Sequence, residues 1–194
     1  MAYPGQQLYN PITGEHITFL VTAEETDGEY VKFDCRVEPG KTALKPHVHA
    51  HQEERFQVLS GTLECRVGRK KVTLRAGDSI VLPKRVVHQW KNAGDDEAHF
   101  LVEVSPARNI ERTLEAITGM AQEGKLSKGV MPKNPFRLAQ FGKLSETYLP
   151  IIPIWMQQVG VSMGALAGRM AGYDASFAAY AGEAEEAAAY EAAA

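Results

Sequence analysis

The feature that most constrains this chain is its rhythm between residues 16 and 105, where short runs alternate apolar and polar residues and glycine, proline, asparagine or aspartate closes most of them. Alternation with period two places successive side chains on opposite faces, so these runs are half-buried strands and not helices. The first covers residues 16–22. Asp27-Gly28 then marks a turn, and the run at 30–38 sets Val31, Phe33, Cys35 and Val37 against Lys32, Asp34 and Arg36. Further runs occupy 62–67, 71–75, 79–82, 86–92 and 98–105, separated by Ser60-Gly61, Gly68, Ala76-Gly77-Asp78 and Ala93-Gly94-Asp95. Strands this short and this evenly punctuated predict a mainly β fold, either a β-sandwich or a double-sheet jelly roll. No helix alternates with them and no glycine-rich phosphate loop is present.

Four residues inside this region point to chemistry: His47, His49, Glu54 and His88. One residue apart on an extended segment, His47 and His49 project from the same face about 7 Å from each other. That leaves a metal-sized gap between two imidazoles. Glu54 opens a run whose Phe56 and Val58 share its face, so a turn over residues 50–53 brings its carboxylate back towards the histidines. The run carrying Val86, His88 and Trp90 supplies a fourth ligand. Three imidazoles and a carboxylate suit one divalent transition ion, iron, manganese, nickel, cobalt or zinc, and suit calcium or magnesium poorly. His51 shares the parity of His47 and His49; it is read as solvated at the turn, with an exchange of ligands or a supporting role behind them as the alternatives. Glu53 lies on the face opposite Phe56 and Val58 and competes poorly with Glu54.

These positions also carry a family resemblance. His47, His49, Glu54 and Gly61 resemble the first cupin motif, and Gly77, Pro83, His88 and Asn92 resemble the second. The separation between the two, residues 62–76, is of the short kind found in single-domain bacterial cupins. The resemblance spans about residues 30–106. Two positions depart from the pattern: Arg85 stands where a glycine is usual, and Gly40 is one residue further from His47 than usual. The resemblance implies a double-stranded β-helix, the cupin jelly-roll barrel, and a homodimer. It also implies a metal-dependent enzyme, the nearest functional parallel being the quercetinase-like dioxygenases. In that reading His47, His49, Glu54 and His88 hold the ion, and Glu54 doubles as a catalytic base towards a substrate hydroxyl. Strand parity turns Phe33, Cys35, Phe56, Cys65, Trp90 and Phe100 inward, a pocket for a small, largely apolar or aromatic substrate bearing oxygen. Three other functions stay open, because one barrel serves many chemistries: a non-redox lyase, isomerase or cyclase using the metal as Lewis acid, a non-catalytic binding protein, and an accessory protein acting through its C-terminal helix.

With 194 residues, 44% hydrophobic and 23% charged, the chain supports one core and an appended helical part. A net charge of -3 gives no footprint for nucleic acid. Arg69-Lys70-Lys71 reads as a solvated hairpin tip, and Cys35 and Cys65 give no disulfide framework. No secretory signal is read at the N-terminus, so a reducing cytoplasm is expected. Residues 1–14 read as turns. Beyond Pro106 the period changes: an amphipathic helix is expected over 109–122, a loop over 124–135 and a second helix over 136–148. Residues 147–168 hold no charge, and Gly160, Gly164, Gly168 and Gly172 recur every four residues. Membrane contact by residues 147–172 is one reading; the favoured one is a helix packed on the barrel or on a partner. The expected organisation is a barrel domain at 1–106, a helical extension at 107–181, and an Ala/Glu-rich tail at 182–194 that is frayed or disordered.

Overall fold

A computed structural model describes residues 2–41, 45–127, 129–173, 177, 179 and 180, so the tail at 182–194 lies outside the described residues. The chain folds as a mainly β, double-stranded β-helix barrel with a C-terminal helical extension. Strands β1 (Gln7–Asn10), β2 (Glu15–Val21), β3 (Val31–Val37), β4 (Val48–His49), β5 (Glu53–Ser60), β6 (Thr62–Val67), β7 (Lys70–Arg75), β8 (Ser79–Leu82), β9 (His88–Asn92) and β10 (Ala98–Ser105) follow in order. One sheet runs β1-β2-β3-β10-β5-β8 and another β7-β6-β9. Every pairing within them is antiparallel. Because β10 lies between β3 and β5, distant parts of the chain close the same barrel.

The strand interiors obey the alternation read from the sequence. On β3, Val31, Phe33, Cys35 and Val37 are all buried, as are Phe56 and Val58 on β5. Phe56, Trp90 and Phe100 meet at centroid separations of 5.3 to 6.2 Å in tilted and edge-on contacts, which fit the ring quadrupoles better than face-to-face stacking. The N-terminal segment departs from expectation. Asn10 does make a turn, its Oδ1 accepting from the Ile12 and Thr13 amides, but residues 7–10 ahead of it pair with β2 from Gln7↔Thr18 to Asn10↔Glu15. Gln-Leu-Tyr-Asn has too little alternation to announce a strand.

After the barrel come α1 (Ile110–Gln122), α2 (Pro135–Ser145), the short strand β11 (Thr147–Tyr148) and α3 (Ile154–Met170). Asn134 starts α2, its Oδ1 accepting from the Phe136 and Arg137 amides, with Pro135 occupying the first turn, where no amide is needed. The expected helix over 136–148 stops three residues early. Glu146 turns left-handed (φ 49°), and Thr147 and Tyr148 pair with His49 and Val48 instead. Arg108 and Glu146 form a forked ion pair that ties the start of α1 to the end of α2.

The glycine-spaced helix, expected on the barrel or on a partner, finds its main contact inside the extension. It packs on α2, and the extension meets the barrel through α1 against β1 and through β11 against β4. A Cβ on Gly164 would fall 2.7 Å from the Ala139 Cβ, and one on Gly168 would fall 3.1 Å from the Phe136 Cβ, so these two glycines serve a helix contact within the chain. Its outer face leaves Trp155, Val159, Met163, Leu166 and Met170 exposed. Among the described residues no helix is long and apolar enough to cross a membrane.

Candidate metal centre

The barrel brings His47, His49 and His88 together. All three are buried, and one ring nitrogen from each lies within 4.8 Å of the others. Their ring centroids are 4.5 to 5.2 Å apart. Backbone pairing sets this up. His47 and His88 exchange amide hydrogen bonds of 3.0 and 2.9 Å, which locks the segment before β4 to the start of β9. Glu54, near the start of β5, places Oε1 3.0 Å from His49 Nε2 and Oε2 4.0 Å from His88 Nε2. His51 is exposed at the turn and Glu53 is half-buried.

The outer nitrogens decide what the inner ones can do. His47 Nδ1 lies 2.9 Å from the Lys45 carbonyl and His88 Nδ1 2.9 Å from the Val86 carbonyl, so each Nδ1 carries the proton and donates. His49 Nδ1 lies 3.3 Å from Thr147 Oγ1, whose own proton is directed to the Ser145 carbonyl at 3.2 Å, so His49 donates as well. This assignment leaves each Nε2 with a free lone pair. The buried Nε2 of His88 has no hydrogen-bond partner among the described residues, and with the proton on Nδ1 the Nε2 of His49 faces only the Glu54 carboxylate oxygen, an acceptor like itself. Buried lone pairs left unmatched are costly unless something binds them. Burial, with His49 and His88 alongside, lowers the His47 pKa to about 3, and burial lowers that of His88. For Glu54, burial pushes upward, but His49 and then His88 and His47 outweigh it and bring the carboxyl to about 2. At neutral pH, then, His47 and His88 are neutral and Glu54 is ionised. This donor set fits one divalent transition ion.

A cavity of about 100 Å3 adjoins the cluster, bounded by His47, His49, Glu54 and the aromatic rings of Phe33, Phe56, Trp90 and Phe100. Cys35 borders it. Cys65 does not: it lies directly across from Trp90 in the β6–β9 pair, and a short thiol does not reach past an indole. Sequence reasoning missed the parts that the N-terminal hairpin and α1 play. Thr13 and Glu15 come from the β1–β2 hairpin, and α1 closes the cavity with Ile110, Thr113 and Ile117. A second, apolar cavity of about 280 Å3 between α2 and α3 shares His47, Phe141 and Thr147 with the first. Thr147 lies in the stretch expected as helix over 136–148, and no local signal separates it from its neighbours.

Arg85 explains one departure from the motif pattern. Its φ of 63° is the left-handed conformation for which glycine is the usual choice. Its amide donates to the His49 carbonyl (2.8 Å) and its Nε to the Ala50 carbonyl (3.4 Å), so the turn is held from the ligand strand.

The double-stranded β-helix thus presents three histidines, with a neighbouring carboxylate, arranged so that they could hold a metal ion. Residues 33–104 match the family model described as a cupin domain, which places this segment of the chain in the cupin superfamily. It is 32% identical over 68 residues to polyketide synthase CurC of Streptomyces cyaneus, covering 35% of this chain and 44% of that protein. It is 33% identical over 70 residues to protein SchB of Streptomyces halstedii, covering 36% and 50%. The chain thus spans about half the length of the curated relatives it matches. Among solved structures it resembles KdgF from a Halomonas species (19% identity, TM-score 0.45, covering 50% of this chain and 84% of that one). It also resembles a cupin-like protein from Thermotoga maritima (26% identity, TM-score 0.41, covering 47% and 67%).

Proposed function

We propose that this chain is a metal-dependent cupin enzyme acting on a small, largely apolar or aromatic molecule through an oxygen atom, with dioxygenase chemistry as the reaction type. The observation that carries this reading is the orientation of the three imidazoles. Each Nδ1 is engaged outward, which frees each Nε2 beside an aromatic cavity. A divalent transition ion bound there supplies a Lewis-acidic centre and, where redox-active, electrons for dioxygen. His47, His49, His88 and Glu54 are its ligands in this reading. Glu54, ionised at neutral pH, takes the proton of a substrate hydroxyl as the oxygen is drawn in. Phe56, Trp90 and Phe100 exclude water and orient a flat ring. The inner cavity, at about 100 Å3, is smaller than the roughly 150 Å3 cavity known to accept benzene, so it takes at most one ring. The adjoining 280 Å3 cavity accommodates the remainder of a longer molecule. Residues 1–106 are then the catalytic barrel and residues 107–181 its cover.

A second reading draws on the match to a polyketide synthase. Chains of alternating carbonyls cyclise once a proton is removed beside a polarised carbonyl, which needs a Lewis acid and a base but no oxidant. Glu54 serves that chemistry equally well. The two readings separate in an oxygen electrode, with metal-loaded protein and a panel of phenols and β-dicarbonyl compounds. Dioxygen uptake that is lost in Glu54→Gln supports the first. Product formation without uptake supports the second, and no turnover of any compound contradicts both.

A further inference from the structure

The cavity is also bordered by polar groups that the metal centre does not use. Thr13 and Thr113 both border it and are 1% and 8% exposed; the buried Thr113 hydroxyl has no hydrogen-bond partner among the described residues, and that of Thr13 has none beyond the neighbouring Glu15 carboxyl. In a helix, threonine ordinarily satisfies its hydroxyl on the carbonyl three or four residues back. Thr113 on α1 does not. Glu15 borders the same cavity from the first position of β2, two residues from Thr13 across Gly14. The hairpin that carries both is held by Asn10, whose Oδ1 accepts from the Ile12 and Thr13 amides and whose carbonyl accepts from Gly14 at 2.8 Å. Two hydroxyls and a carboxyl, two of them from the β1–β2 hairpin and one from α1, at one apolar cavity are the few placed polar groups that fix a ligand's orientation.

Resting on the metal-enzyme reading above, we propose that Thr13, Glu15 and Thr113 form a second binding locus that recognises a hydroxyl group of the substrate other than the oxygen at the metal. The carboxyl accepts from that hydroxyl, and the threonines donate to it or accept from it. The substrate is therefore a small apolar or aromatic molecule bearing two oxygen functions. Burial raises the Glu15 carboxyl, with the neighbouring Thr13 side chain pulling the other way, so an ionised Glu15 gains from a hydrogen-bond donor brought by the ligand.

The test uses two probe pairs, read by calorimetry and by quenching of Trp90, which borders the cavity. Phenol against toluene examines the polar locus with or without metal. Hydroxybenzoates (3- and 4-isomers) against benzoate examine it on metal-loaded protein. In the wild type, phenol and at least one hydroxybenzoate should bind about tenfold tighter than their partners, the size expected for one buried hydrogen bond. Thr113→Val, Thr13→Val and Glu15→Gln should each cut that advantage severalfold and leave toluene and benzoate within about twofold. Equal affinities in the wild type, or an advantage that survives all three variants, would overturn the proposal. A phenol preference that is lost in the variants while the wild type holds no metal would sustain the locus and remove the metal reading.

Discussion

At the scale of single residues, Thr147 matters most among the side chains that do not belong to either motif. Its hydroxyl accepts from His49 Nδ1 and so fixes which nitrogen faces the cluster. Thr147→Val keeps the shape and removes the acceptor. Metal affinity should fall about tenfold, in line with other partners that orient a ligating histidine, with the fold unchanged. Competition against a chelator reads this directly, and an unaltered affinity would show that Thr147 does not orient His49. Arg85 gives a second prediction. A β-branched residue at φ 63° is far worse placed than an unbranched one, so Arg85→Val should cost more than about 1 kcal/mol and Arg85→Gly much less. Urea midpoints that rank the two the other way would refute this. Both thiols should be inert in the folded chain. Burial pushes Cys65 up to about 12 and Cys35 well above its ordinary range, so neither should react with iodoacetamide at pH 8 until the protein unfolds.

At the scale of elements, the contact between α2 and α3 depends on small residues at particular positions. Gly164 faces Ala139 at a distance no added methyl fits, whereas nothing lies within 4 Å of a Cβ built on Gly160. Gly164→Ala should therefore lower the melting temperature by forcing the helices apart, at a cost of about 1–3 kcal/mol. Gly160→Ala should raise stability slightly through helix propensity, by up to about 1 kcal/mol. Equal effects at the two positions would mean the helices do not approach as closely as described. The elements also show what sequence can and cannot disclose. Strands such as β6, β8 and β10 matched the alternation to the residue, because one buried and one wet face leave a period-two record. Strand β1 and the two-residue β11 left none, being too short or too weakly patterned. The four residues of the proposed site were legible because motif spacing is local. Thr13, Glu15 and Thr113 were not, since they reach the cavity only through long-range packing of the hairpin and α1.

At the scale of the whole molecule, the buried cluster links stability to pH. Above pH 6.5 His47 is neutral in both folded and unfolded chains and contributes nothing. Between 6.5 and about 3 the unfolded chain binds a proton that the folded one does not, so metal-free protein loses stability as pH falls. Glu54, held at about 2 instead of 4.5, adds a further loss below pH 4.5. Urea midpoints of the metal-free protein should decline from pH 7.5 to 5.5 and more steeply by 4.0. A flat profile would mean that the imidazoles are solvated. A metal ion that binds the folded site more tightly than the unfolded chain should raise the midpoint at every pH at which it stays bound. The measurement that bears most directly on the metal centre is elemental analysis of wild type and His47→Ala purified without chelators. About one equivalent of iron, manganese, nickel, cobalt or zinc per wild-type chain, and little in the variant, is the expected result. A wild type that holds no metal and takes none up on reconstitution, or a His47→Ala variant that binds metal as well as the wild type, would contradict it.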